Sequence, residues 1–213
     1  LEKTAGDASM TNPETLAGFI RWCGEKYPAN RNELIFWDHG GGSVSGYGYD
    51  EKYPKSGSMT LAGIKQALSK AGMTFDFIGF DACLMATLEN ALMLSDYADY
   101  MIASEETEPG LGWYYTDWLT ALSENPSMPT VEIGKKIADD FVNTCIKAGQ
   151  GQKTTLSVVD LAELEETAPE ALTAFSRSTG ELVRGDQYKT VSNARNNTRE
   201  FARSSQIDQV DLV

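Results

Sequence analysis

Apolar positions along the chain follow two alternating rhythms. From Pro13 onward, Leu16, Phe19, Ile20 and Cys23 recur at i, i+3, i+4 and i+7, which lines them along one side of a helix. Asn12 before Pro13 is a start signal. An Asn side chain accepts an amide proton of the first turn, and proline has no amide to leave unpaired there. Pro28 ends the pattern, so the spacing predicts a helix with that stripe buried. A short unbroken apolar run of strand length follows at residues 34–37, and further strands are predicted at 75–80, 100–104 and 154–159. Helical patterns lie between them at 60–71, closed by Gly72, at 84–94, at 117–122 and at 130–147, with two more between 161 and about 203.

Strands alternating with helices predict an α/β fold: a largely parallel sheet covered by helices on both faces. There is no internal repeat or long linker, so residues 1–213 read as one domain. Residues 43–58, rich in Gly, Ser, Tyr and Lys, read as an exposed excursion. In such sheets the working residues sit in loops at the carboxyl ends of the strands. Three successive strand ends here carry reactive types: Asp38-His39-Gly40-Gly41-Gly42, Asp81-Ala82-Cys83, and Ser104-Glu105-Glu106-Thr107-Glu108.

Composition narrows the choices. The net charge of −13 argues against nucleic acid as a partner, since a phosphate backbone attracts clustered Lys and Arg. No apolar run approaches the ~20 residues that span a bilayer. Three cysteines exclude a disulfide framework, and a single histidine excludes a multi-histidine zinc site. Any imidazole chemistry must use His39.

Cys83 follows a buried strand and precedes a predicted helix, whose first amides favour a thiolate and can donate to an oxyanion. Three glycines after His39 let the backbone approach a substrate carbonyl closely. A thiol and an imidazole on neighbouring strand ends form a potential Cys/His pair. A lone cysteine is more often a small buried hydrophobe, and Cys23 and Cys145 fit that description on their helices' apolar faces.

The segments Ile35-Phe36-Trp37-Asp38-His39-Gly40-Gly41-Gly42 and Phe80-Asp81-Ala82-Cys83-Leu84-Met85 resemble the two signature segments of the clostripain family of cysteine peptidases. That family belongs to the caspase-like clan, with gingipains, legumains and separase. Residues 103–113 are similar to the family's next segment, whereas the caspase pattern Gln-Ala-Cys is replaced here by Asp81-Ala82-Cys83. The resemblance implies a caspase-like three-layer α/β/α sandwich. It implies His39 as the catalytic histidine, Cys83 as the nucleophile, and the backbone amides of Gly40 and Cys83 as oxyanion donors. It implies Asp81 as the acid of the pocket for the residue before the cut, hence cleavage after Arg or Lys. An Asp at that strand end can pair with a guanidinium, or it can cap the following helix. Glu105, Glu106 and Glu108 offer a second acidic wall, and Trp113 and Tyr114 line the cleft or belong to the core.

The expected partners are therefore polypeptides with a basic residue before the cut, met by a monomeric, secreted or cell-envelope bacterial enzyme. No cofactor is expected to be required; some family members use calcium, but no dedicated calcium loop is present. The resemblance also implies activation by self-cleavage between His39 and Cys83, with Lys52 and Lys55 the only basic residues of the 43–58 excursion. Family members have further sheet strands before the first helix, so this chain is expected to be a fragment that folds less well alone. The alternatives are a catalytically silent caspase-like binding scaffold, and a glycoside hydrolase using Glu105 or Glu106.

Overall fold

A computed structural model describes residues 6–151 and 154–212. Helix α1 (Pro13–Lys26) starts as its sequence predicts, with Asn12 Oδ1 accepting the Glu14 amide at 2.9 Å. Strand β1 (Glu33–Trp37) leads into a four-residue helix α2 (Gly42–Ser45). Helix α3 (Leu61–Ala71) begins at Thr60, whose hydroxyl accepts the Gly63 amide, and stops at Gly72, which is left-handed at φ +68°. Strand β2 (Phe75–Asp81), helix α4 (Leu88–Leu94) and strand β3 (Ala98–Ala103) complete the parallel part. Helices α5 (Tyr115–Glu124) and α6 (Thr130–Lys147), strand β4 (Ser157–Asp160), and helices α7 (Leu161–Arg184) and α8 (Tyr188–Asn197) follow.

The sheet order is β1-β2-β3-β4, with β1/β2 and β2/β3 parallel and β3/β4 antiparallel. The central strand β2 is apolar because both of its faces are covered: Phe77, Ile78 and Phe80 have no exposed surface. On one face Phe36, Ile64, Leu68, Ile78, Phe80 and Met101 form a core with α1, α3, α4 and α7. On the other, Phe77, Ile102, Ile133 and Phe141 pack beneath α5 and α6. Each fully buried Phe, Leu or Ile contributes about 1.5–3 kcal/mol, and these two layers hold the strand ends in register. That register sets Phe36 beside Phe80 and Trp37 beside Asp81, so both reactive loops leave the sheet at the same edge.

Several expectations need correction. The helix predicted at 84–94 begins only at Leu88. The Leu84 and Ala86 amides donate to Glu106 O and Ser104 O at the end of β3, so they are not available to a helix. Thr87 then caps α4 by accepting the Asn90 amide at 3.1 Å. Cys83 therefore does not sit at a helix N-terminus. Phe19, predicted buried, is 55% exposed, and Cys23 is only half-buried, whereas Cys145 is fully buried. Phe19 faces a groove of about 690 Å3 bounded by α1 and β1, and among the described residues β1 pairs on one side only. The 43–58 excursion is exposed in part: the Tyr47 backbone pairs with Met59, and its ring packs on Phe36 at 4.9 Å. Its other end, including Lys52 and Lys55, is exposed.

After α8 the chain turns into a hairpin spanning residues 199–211. Phe201 N–H donates to Gln209 O, Asp211 N–H donates to Arg199 O, and Glu200 bridges Val210.

Candidate active site

Three loops converge at the carboxyl ends of β1, β2 and β3. His39 and Cys83 each stand two residues beyond the matched pair Trp37 and Asp81. The loops touch at Gly40, where a Cβ would stand 2.3 Å from the Cys83 carbonyl oxygen. No residue but glycine fits there without moving one loop. The His39 side chain is exposed and borders a shallow hollow of about 380 Å3 walled by Gly40, Gly41, Ser45 and Tyr49. Asp38 does not serve the imidazole as a third member. Its carboxylate accepts the backbone amides of His39 at 2.6 Å and Tyr49 at 3.3 Å, shaping the turn instead.

Cys83 is half-buried. The Glu108 amide donates to its sulfur at 3.3 Å, and the thiol lies 3.8 Å from the Glu108 carbonyl. The sulfur thus meets the N–H of a neighbouring loop where the sequence predicts a helix start. Among the described residues, no backbone acceptor engages the amides of Gly40 and Cys83.

Asp81, the last residue of β2, is 4% exposed. It does not cap a helix: Oδ2 accepts the Trp113 amide at 3.1 Å and the Tyr115 hydroxyl at 3.0 Å. Trp113 is core, its ring lying against Gly79, while Tyr114 is exposed. Gly112, at φ +65°, presses its backbone against the same carboxylate. Burial pushes the Asp81 carboxyl above its ordinary range, although Trp113, Tyr115 and the neighbouring Glu108 carboxyl pull the other way.

Of the three glutamates, Glu108 is the one beside Asp81. Both its oxygens are enclosed and lack a well-formed hydrogen bond, the Asp81 carboxyl, the Trp113 indole and the Ala82 backbone standing near without closing one. Burial first, and the Asp81 charge second, push Glu108 up to about 9. No Lys or Arg is among the groups acting on either carboxyl. Glu105 and Glu106 are turned elsewhere. Glu105 Oε1 accepts the Ser157 hydroxyl at 2.5 Å, and Glu106 Oε2 accepts the amides of Thr107 and Ala202. Neither stands free as a general acid beside a cleft, as a glycoside hydrolase would need.

The 199–211 hairpin is the part of this region that sequence reasoning missed. Phe201 and Ala202 bury Leu84, with Cys83 and Ile207 at the margin of the cluster. Among the described residues no three His, Cys, Asp or Glu side chains gather as metal ligands would, and no helix is long and apolar enough to cross a membrane.

A parallel sheet between two helical layers, with a cysteine and a histidine on adjacent strand ends, defines a caspase-like α/β/α protein. The clostripain family model matches residues 1–209. Clostripain of Hathewaya histolytica is 30% identical over an alignment that takes in 51% of this chain and 24% of that protein. A secreted cysteine protease of Bacteroides thetaiotaomicron, solved with an irreversible peptide inhibitor, is 27% identical with a TM-score of 0.60, over 72% of this chain and 46% of that one. An inactive zymogen protease of Parabacteroides distasonis is 30% identical, also with a TM-score of 0.60, over 78% of this chain and 44% of that one. The chain thus spans less than half the length of these relatives. It belongs to the clostripain family.

Proposed function

We propose that this chain carries the catalytic centre of a cysteine endopeptidase that cuts after Arg or Lys, with Cys83 as nucleophile and His39 as its proton partner. The observation that carries the proposal is the buried Asp81 carboxyl, two residues before Cys83, with no protein cation to neutralise it. A buried acid without a counter-charge is costly, and a substrate guanidinium or ammonium would relieve it. Glu108 supplies the second carboxyl of that pocket.

In this mechanism Cys83 Sγ bonds to the scissile carbonyl carbon while its proton passes to the His39 imidazole. The carbonyl oxygen becomes an oxyanion, received by the amides of Gly40 and Cys83. His39 gives the proton to the leaving amine as the C–N bond breaks, leaving a thioester. Water then attacks the thioester, releasing the new carboxylate and restoring the thiol.

The same specificity accounts for activation. Lys52 and Lys55 are exposed, lie between His39 and Cys83, and flank the short 3-10 turn Pro54–Ser56. Cleavage after either would yield a light piece with the histidine and a heavy piece with the cysteine. The named relatives, one secreted and one an inactive zymogen, support a secreted protease with an inactive precursor form.

The test is a panel of fluorogenic peptides ending in Arg, Lys, Asp or Asn, offered to the full-length protein and its Cys83→Ala and His39→Ala variants. Turnover confined to Arg and Lys, lost at least about a thousandfold in both variants, is expected; that corresponds to about 4 kcal/mol of barrier. Activity surviving in Cys83→Ala would assign the chemistry elsewhere.

A further inference from the structure

Residue Leu84, directly after the proposed nucleophile, has φ +65°. Leucine has a Cβ that crowds its own backbone in this left-handed region, so the conformation persists only where surroundings hold it. Two contacts do so. Its amide donates to Glu106 O at 3.1 Å, and its side chain, 2% exposed, is enclosed by Phe201 and Ala202.

The hairpin that supplies those side chains is hydrogen-bonded to the β3 loop and lies against the other two. Glu106 Oε2 accepts the Ala202 amide at 3.1 Å, so one glutamate holds Leu84 by its carbonyl and the hairpin by its carboxylate. Gln209 Nε2 donates to Glu105 O at 3.3 Å. Gln209 Oε1 reaches the His39 loop, standing 2.8 Å from where a Cβ at Gly42 would be. The hairpin itself is braced from behind by Arg195, which pairs with Asp208 and Glu200.

We propose that the 199–211 hairpin is a positioning element of the catalytic centre: Phe201, Ala202 and Gln209 hold Leu84 in its left-handed conformation and thereby aim the thiol and amide of Cys83. This rests on Cys83 being the nucleophile. They act through Leu84 and the loop ends, with Cys83 itself at the margin of their cluster. Glu106 belongs to the same device, which accounts for a buried carboxylate beside the site that does not face the substrate pocket.

The experiment compares the full-length protein with its Gln209→Ala, Phe201→Ala, Phe201→Leu and Cys83→Ala variants. Two readings are taken on each preparation: turnover of an Arg-ended fluorogenic peptide, and the rate at which iodoacetamide labels Cys83, followed by peptide mass. Misplacing a reacting group by about 1 Å can cost about a hundredfold, so Gln209→Ala and Phe201→Ala should lower kcat about ten- to a hundredfold. KM should stay within about twofold, because the Asp81 pocket is untouched, and Cys83 labelling should slow with kcat. Phe201→Leu, which still fills the space over Leu84, should recover most of the loss. Unchanged kcat and labelling in folded Gln209→Ala would overturn the proposal. So would a rise in KM alone, which would make the hairpin a wall of the substrate cleft. If Phe201→Ala does not fold, Gln209→Ala decides. Full activity in Cys83→Ala would remove the nucleophile assignment, while the labelling rates would still report whether the hairpin sets that thiol.

Discussion

Gly40 lies so close to Cys83 that a Cβ added to it would stand 2.3 Å from the Cys83 carbonyl oxygen. The histidine loop and the cysteine loop are therefore in van der Waals contact through bare backbone. Two amides that can share one oxyanion must be about as close as their chains allow, and a side chain at Gly40 would separate them.

Gly40→Ala should accordingly remove activity with little loss of fold. Overpacking of this kind costs about 1–3 kcal/mol of stability, which lowers the melting temperature without abolishing it. Displacing one oxyanion donor should lower kcat by about a hundred- to a thousandfold. Gly18→Ala, in α1 where a Cβ would meet nothing within 4 Å, is the control and should leave kcat unchanged. Equal kcat for Gly40→Ala and wild type in a peptide assay would show that the contact is not part of the catalytic geometry.

Asp81 sets the preference for a basic residue in the proposed mechanism. Asp81→Ala should lose most turnover of Arg and Lys peptides, through kcat/KM, by a few kcal/mol or about two orders of magnitude. Fold is the concern, since Asp81 also holds the Trp113 amide and the Tyr115 hydroxyl. Asp81→Asn keeps acceptors for both and removes only the charge, so it should melt close to wild type and still lose Arg cleavage. Undiminished cleavage after Arg in Asp81→Asn would move the specificity determinant elsewhere.

How much of this was legible beforehand depended on whether the cause was local. The Asn12 cap, the Gly72 stop and the buried strand β2 follow from neighbouring residues, and the structure has them. That the loops bearing His39, Gly40 and Cys83 meet was legible because each follows a strand of the same parallel sheet. The choice among Glu105, Glu106 and Glu108 was not, since it depends on how one loop folds back over Asp81, 27 positions away for Glu108. The turn at Leu84 to Thr87 imitates a helix in sequence because its amides are taken by β3, a tertiary partner. Phe19 obeys helical periodicity yet faces a groove, because a stripe is buried only when something lies against it. The 199–211 hairpin carries no signal at all: its left-handed residues are Ala202, Gln206 and Asp208 rather than glycines.

The Asp81–Glu108 pair gives a pH signature. Glu108 is pushed up to about 9, well above the carboxyl's unfolded value near 4.5. The native state therefore holds a proton that the unfolded chain releases. The resulting stability is complete below about pH 4.5 and is lost as pH rises toward 9, each pKa unit being worth about 1.4 kcal/mol. The groups facing Glu108 are Asp81, Tyr115 and Cys145: burial raises all three, negative neighbours add to it for Tyr115 and Cys145, and none is a cation, so none reverses the sign. Glu108→Gln should melt at nearly the same temperature as wild type at pH 5 and higher at pH 9. In wild type, KM for an Arg peptide should fall as pH rises toward 9, because the entering cation must displace the Glu108 proton; in the Gln variant that slope should flatten. Parallel melting curves for the two proteins from pH 5 to 9 would show that Glu108 is ionised throughout.

The proposed self-cleavage rests on the proposed specificity and on exposure together. Lys52 and Lys55 project from the outer part of the 43–58 excursion, whereas its inner part is tied down by the Tyr47–Met59 backbone pairing and by Tyr47 on Phe36. A cut after either lysine would leave both ends anchored: His39 stays just beyond β1, Tyr47 stays packed on the core, and Met59 leads into α3. The two pieces should then remain associated, because β1 keeps its pairing to β2 and its place in the core. Exposed loop tips are where a protease can accommodate a chain in extended form. The measurement is intact mass of the full-length protein and its Cys83→Ala variant, each under denaturing conditions and after native gel filtration. Wild type should split after Lys52 or Lys55 yet elute as one particle, while Cys83→Ala stays whole. A Lys52→Ala, Lys55→Ala double variant should also stay whole and turn over Arg peptides more slowly if the loop restrains the pocket. An uncut wild type that is fully active would show that this loop is not the activation switch.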